Sequence, residues 1–475
     1  MKYVVSHILL SLALLSGCAN VREPSNSPIS DIDESEGYRW LDSQAAEKSG
    51  DTIVLLAFSG GGTRAAALSY GVMQELRDTL IQTGPGETRL LDEIDTISSV
   101  SGGSFTSAYY GVFREKIFDD FEGDFLRRGV QQALVTELLN PLYWVRSTTS
   151  GFNRTEMAID HYEQHIFRGA TFSDIEANGP PFIEINATDL TTGMRFTFNQ
   201  ERFDLICSNL ADFSVARAVT ASSAVPVVFP TVPLRNHADQ CDLSDTYEWS
   251  MIEEAEKSSE TSAQRETIRT LKSYRNAQDR KYIHLVDGGV SDNLGLRSLI
   301  DKLESIGSTA FELLRENPPR NILIISVNAE VQRSYTIEQS PEEPSIATTM
   351  GAYTSAQMLK YNRETVDRLK NILANLEQKF EAAGIDTSIF FSEVSFDQVK
   401  PKEINRFLNS LPTSLELDDI QVDKLIGTGR LMLRSEPAYM KFKQRNKARM
   451  ADGSITDDEI CQQFDHDSCE LLGPL

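Results

Sequence analysis

Residues 51–81, DTIVLLAFSGGGTRAAALSYGVMQELRDTLI, carry three signals in succession. Asp51–Phe58 is a short, β-rich apolar run closed by glycine, the pattern of a buried strand. Ser59-Gly60-Gly61-Gly62 is a turn. From Thr63 to Ile81, Ala65, Leu68, Val72, Leu76 and Leu80 fall near one face of a helix. The order then repeats. Ile94–Val100 is a second apolar strand, Ser101-Gly102-Gly103 breaks it, and Phe105–Phe118 reads as helix. Strand, glycine turn and helix, twice over, point to an α/β fold with a mainly parallel sheet flanked by helices, because parallel strands need a crossover between them.

Working outward, further strands are expected at Phe182–Ala187, Arg195–Phe198, Lys281–Val286 and Asn321–Val327, and a long helix from Ile346 to Ala383, with a break expected at Gly351. Asp242–Arg280 is charged and without strand pattern, and reads as a largely helical surface insertion. Lys441, Lys443, Arg445, Lys447 and Arg449 form a basic run ahead of an acidic tail. It reads as a solvated helix face, with contact to lipid headgroups as the other reading.

The chain has 475 residues, 40% apolar and 24% charged, with a net charge of −24. Length alone sets a prior of about three domains and permits a large core. Wholesale disorder, collagen and a polytopic membrane protein are excluded. The acidic balance argues against nucleic acid as a partner and against long-range steering toward anionic lipid. Protein partners are not legible.

The first residues read as an address. Met1-Lys2 is followed by an apolar stretch, best from Ile8 to Leu15, too short to span a bilayer. It ends in Leu15-Ser16-Gly17-Cys18, which resembles a bacterial lipobox. That likeness makes residues 1–17 a signal peptide and Cys18 a lipidated residue, and Ala19 after it favours an outer-membrane position facing the periplasm. Acyl chains there would contribute about 0.8 kcal/mol per buried methylene. Residues 18–38 then read as a flexible tether, 39–330 as the main folded domain with the insertion at about 242–280, and 331–475 as a mostly helical C-terminal region. Export also frames the cysteines: Cys207, Cys241, Cys461 and Cys469 are left to pair. Of three connectivities, Cys207–Cys241 and Cys461–Cys469 are favoured as nearest in sequence.

Three segments carry the chemistry. Gly60-Gly61-Gly62-Thr63-Arg64 lies between strand and helix, where successive backbone N–H groups and a helix N-terminus favour an anion, either a phosphate or an oxyanion. It lacks the lysine followed by Ser or Thr of a nucleotide P-loop. Ser99-Val100-Ser101-Gly102-Gly103 puts Ser101 at a sharp strand-to-helix turn that would lift its hydroxyl out of the chain; the plainer reading is a helix N-cap. Asp287-Gly288-Gly289 follows the apolar run Tyr282–Val286, which sets a carboxylate at the strand edge where open parallel sheets hold their sites, or merely in a turn. A serine nucleophile needs a base. None of His7, His161, His165, His237, His284 and His466 sits in a recognisable catalytic turn, so a Ser-Asp dyad uses what is present.

In this order the glycine turn, the serine elbow and Asp-Gly-Gly resemble the patatin-like phospholipases. The likeness extends to Asn186-Ala187-Thr188-Asp189-Leu190-Thr191-Thr192-Gly193, to Ala221-Ser222-Ser223-Ala224-Val225-Pro226 and to Phe229-Pro230, and covers roughly Thr52–Leu299. It departs from the family pattern at Ala65, where the glycine motif often ends in glycine, at Ser99 in place of the elbow glycine, and in the insertion. The resemblance implies a three-layer α/β/α fold and a serine acyl hydrolase of phospholipid or lysophospholipid esters. Ser101 would be the nucleophile and Asp287 the base. Gly61 and Gly62, with Gly60, would form the oxyanion hole. Arg64 would steady the turn or a substrate phosphate, or else form a structural ion pair. No metal or cofactor is implied; membrane lipid is expected as substrate and anchor. The rival readings are a catalytically silent lipid- or protein-binding envelope lipoprotein and a phosphate- or nucleotide-using protein.

Overall fold

Eight strands form the central sheet: β1 (Thr52–Phe58), β2 (Ile94–Val100), β3 (Phe182–Asp189), β4 (Arg195–Thr197), β5 (Val232–Arg235), β6 (Tyr282–Val286), β7 (Asn321–Asn328) and β8 (Ser388–Ser395). Their order is β8-β7-β1-β2-β3-β6-β5, with β4 beside β3. From β8 to β3 every pairing is parallel, and β4, β5 and β6 join antiparallel. The computed structural model describes residues 23–40, 50–84, 86–226, 228–258, 261–305, 311, 314–315, 317–332 and 337–464. The expected signal peptide, Cys18 and Cys469 lie outside the described residues.

Alternation along the parallel strands builds two cores. Val54, Leu56 and Phe58 of β1, with Leu323, Ile325 and Val327 of β7, face one side. There they pack with helices α1 (Thr63–Asp78) and α2 (Gly102–Phe113). Ala57, Ile322 and Ile324 face the other side, toward Leu299 and Ile300 and toward Leu369, Leu373 and Phe380 of the long helix Ile346–Ala382. The period of two along each strand thus produces the three-layer α/β/α arrangement.

Several expectations need correction. α1 ends at Asp78, and Thr79–Thr83 forms a strand of a small antiparallel sheet with Gly86–Arg89 and Arg449–Met450. β-Branched Thr79, Ile81 and Thr83 favour that pairing over another helical turn. The long helix runs through Gly351 without a break. Residues 26–38 do not hang free as a tether. Ser27–Pro28 pairs with Ser208–Asn209, and Tyr38 is buried, stacked on Phe182. The insertion is helical, Tyr247–Ser258 and Ser262–Ser273, yet it is more than surface. Ile252, Ile268 and Tyr274 are buried, and the Tyr274 hydroxyl donates to Asp189 Oδ2 at the end of β3. In the basic run Arg445 pairs with Asp386 and Arg449 with Glu87, so these two serve tertiary contacts rather than headgroups.

Residues beyond 330 are woven into the same body. β8 is the sheet's edge, and the helix Asp419–Ser435 packs along α1. Cys207 and Cys241 form a disulfide, their Cα atoms 5.6 Å apart. Cys461 is disulfide-bonded as well.

Candidate active site

β1 and β2 are parallel neighbours, so the glycine turn and Ser101 emerge side by side at one sheet edge. Asp287 reaches that edge from the opposite direction. β6 runs antiparallel to β3 and overlaps it only through Leu285↔Asp189 and Val286↔Thr188. The carboxylate therefore sits at the carboxyl edge because β6 enters from beyond it, not because β6 is one more parallel strand.

Ser101 holds φ 50°, ψ −118°, a conformation L residues rarely adopt. Strain of this kind persists only where the surroundings enforce it, and here they do. Ser101 N–H donates to Ser222 Oγ (2.9 Å), and Ser222 Oγ–H donates to Asn186 O (2.6 Å). With its proton so committed, Ser222 Oγ also accepts from Ser104 Oγ at 3.0 Å. Two glycines make the turn feasible. A Cβ on Gly102 would lie 2.1 Å from Gly62 O, and one on Gly103 2.7 Å from Phe58 Cβ. Ser99, in the usual glycine position, fits because its hydroxyl donates to Glu184 O and accepts from Ser107.

Ser101 Oγ–H donates to Asp287 Oδ2 at 2.9 Å. The other carboxylate oxygen accepts Gly289 N–H at 2.7 Å. Both side chains are buried. Burial pushes the Asp287 carboxyl up to about 6, against the opposing pull of the Gly289 and Ser101 hydrogen bonds. Backbone bonds Asp287 N–H to Ala224 O and Gly288 N–H to Ser222 O fix the loop. Ser222 thus bonds to both the serine turn and the acid turn.

Of the three expected oxyanion donors, Gly60 drops out: its N–H already donates to Asn293 O at 2.9 Å. Gly61 and Gly62 N–H have no acceptor among the described residues. They lie beside the serine turn, since a Cβ on Gly102 would be 2.6 Å from Gly62 N. The N-termini of α1 and α2 both open on this spot, adding positive potential. Among the described residues Arg64 has no ion-pair partner, and it is buried away from any phosphate in solution. Buried under the turn, it donates to Ala329 O, Leu411 O and Thr413 Oγ1 at 2.9, 2.6 and 3.1 Å. Desolvation lowers its pKa to about 10. Next to it Thr63 N–H donates to Ser414 O, so the segment 411–414 closes over the turn.

The described histidines lie elsewhere. His284 bonds Thr231, His237 bonds Asn26 O, and His165 contacts Arg128 and meets the His161 ring at a tilt. Among the described residues no group of three His, Cys, Asp or Glu side chains is placed to hold a metal ion. Ser222 and Asn293 were not read as site residues. Ser222 belongs to a segment already picked out by resemblance, whereas Asn293 carries no local signal.

Comparison with known proteins places this geometry in context. The model of the patatin-like phospholipase family matches residues 56–300, a span holding the glycine turn, Ser101 and Asp287. No curated protein matches. Among solved structures, human GIVD cytosolic phospholipase A2 is similar at 11% identity and a TM-score of 0.34, over 68% of this chain and 55% of that one. The alignment thus spans about half the length of that protein.

Proposed function

Since the chain belongs to the patatin-like phospholipase family, we propose that it is a lipid acyl hydrolase that cleaves carboxylic esters of phospholipids or lysophospholipids. The observation that carries this reading is the 2.9 Å hydrogen bond from Ser101 Oγ to Asp287 Oδ2, beside two backbone N–H groups that have no acceptor among the described residues. Asp287 takes the hydroxyl proton as Ser101 Oγ bonds to the ester carbonyl carbon. The carbonyl oxygen becomes an oxyanion held by Gly61 and Gly62 N–H. As the intermediate collapses, the carbon–oxygen bond to the alcohol breaks, and Asp287 returns the proton to the departing oxygen. Water then attacks the acyl-enzyme, Asp287 accepts its proton, and Ser101 leaves with that proton as the carboxylic acid is released.

A base must be ionised to act, so a carboxyl raised to about 6 predicts turnover that is lost below that pH and reaches a plateau above it. A fluorophosphonate probe should label Ser101, and Ser101→Ala should lower hydrolysis of a lysophospholipid by about 10³-fold or more. Unlabelled wild type, or activity kept by Ser101→Ala, would overturn the reading and favour a silent binder. We further propose that Cys18 carries lipid and anchors the chain at the outer membrane, facing the periplasm. The disulfides at Cys207–Cys241 and Cys461 support an oxidising compartment. Mass spectrometry of the N-terminal peptide from the native host tests it; an unmodified Cys18 would count against the anchor.

A further inference from the structure

Helices α3 (Val130–Leu138) and α4 (Pro141–Ser150) form a hairpin. One side is tucked into the core through Val130, Leu134 and Tyr143. The other side and the tip present Val135, Leu139, Leu142, Trp144 and Val145 to solvent, with Leu139 78% and Trp144 60% exposed. Apolar exposure concentrated in this way marks an interaction surface. The Trp144 indole N–H donates to Leu138 O within the hairpin (3.1 Å), so the ring's one polar group is already bonded.

Charge selects the partner. In a chain of net charge −24, residues 129–150 hold one acid, Glu137, and one base, Arg146, which is paired with Asp160. An uncharged apolar tip on so acidic a body suits a surface without net charge. An anionic surface would repel the rest of the chain. Position adds to this. At one end Gln132 N–H donates to Glu416, two residues past the Ser414 that closes the glycine turn. Beyond the other end Thr155 donates to Pro230 O. Pro230 follows Val225 and Val228, which are exposed, as is Val290 just after Asp287-Gly288-Gly289. The hairpin therefore stands between two segments that border the site.

We propose that the α3–α4 hairpin docks on a zwitterionic phospholipid bilayer, burying Leu139, Leu142, Trp144 and Val145 at the interface and bringing the Ser101–Asp287 site to the lipid. Short amphipathic helices enter the headgroup boundary in this way without spanning it, and tryptophan is favoured there. The proposal deepens the lipid-hydrolase reading but can be tested without turnover.

The test uses the full-length chain carrying Ser101→Ala, mixed with phosphatidylcholine vesicles containing brominated acyl chains. Trp144 fluorescence should be quenched. Trp144→Phe should remove the quenching, since Trp40 and Trp249 are partly buried. The triple variant Leu139→Gln, Leu142→Gln, Val145→Gln should abolish it while the far-ultraviolet spectrum is unchanged; if that variant misfolds, Leu139→Gln alone should weaken it. With Ser101 restored, the triple variant should lose about tenfold or more of its activity on bilayer substrate and keep activity on a soluble short-chain ester. No quenching in wild type, quenching that survives Trp144→Phe, or quenching that requires anionic lipid would overturn the proposal. So would a dimer in sedimentation that the triple variant dissolves, in the absence of quenching. Quenching without any ester hydrolysis by wild type would leave the docking standing and refute the hydrolase reading.

Discussion

Two glycine-lined contacts in this chain share a geometry and differ in what they leave unpartnered. At the site, Gly102 and Gly103 press on Gly62 and Phe58 so closely that a methyl group would overlap their atoms. Where α1 meets the helix Asp419–Ser435, a Cβ on Gly429 would lie 2.4 Å from Leu68 O and one on Gly71 2.2 Å from Ile426 O. In the helix pair each buried acid is met by a cation. Arg434 bonds both oxygens of the fully buried Glu75, and Arg430 bonds Asp78 at 2.6 Å. At the site, among the described residues, the Asp287 carboxylate accepts from Ser101 and Gly289 alone, and the Gly61 and Gly62 amides stay open. Close packing of backbones builds both contacts. Chemistry becomes available in the one where partners are withheld.

Removing a cation from the helix pair should give the largest change in stability. Arg434→Met strips Glu75 of its nearest cation and should cost about 3–5 kcal/mol in urea unfolding, with turnover per folded molecule unchanged. An equal loss of turnover would show that the two contacts are not separable.

Asp287→Asn should act in the opposite sense, abolishing turnover while stabilising the fold. Folded Asp287 keeps its proton up to about pH 6, whereas the unfolded residue releases it near its ordinary value of 3.8. Between those values the folded state binds more protons, so stability falls as pH rises through the window and stays lower above it. At pH 8 the asparagine form should therefore exceed wild type by on the order of 3 kcal/mol, with little difference near pH 4. Equal stability at pH 8 would mean that the carboxylate is not strained by its burial.

The smallest change is expected from Ser222→Ala. It leaves the buried Ser101 N–H without its acceptor, at a cost of about 1–3 kcal/mol. If Ser222 positions the nucleophile, kcat should fall by about tenfold with KM unchanged. A loss of stability with normal kcat would reduce Ser222 to ordinary core polarity.

The parallel strands and the glycine turns were legible because each is written in a few consecutive residues. β1 and β2 lie where their apolar runs put them, and the turns follow. Contacts across long separations were not legible. Gly60 was read as an anion donor, but its N–H is taken by Asn293, more than 200 residues away. Arg64 was read as a turn support, a phosphate ligand or an ion-pair partner. Its acceptors at Leu411 and Thr413 lie about 350 residues on, and nothing local announces them. β8 escaped because SIFFSEVS is a half-buried edge, mixing polar and apolar positions with no clean period. The antiparallel arrival of β6 was hidden too, since an apolar run does not record its direction in the sheet.

The clasp of Arg64 by Leu411 and Thr413, with Ser414 over Thr63, has a consequence for biosynthesis. A ribosome-bound chain that has not yet grown to residue 411 has the strands of its central sheet, its serine and its aspartate, but of the three acceptors for the cation beneath the glycine turn it has only Ala329 O. The glycine turn beside Ser101 is thus among the last parts of the molecule to be completed.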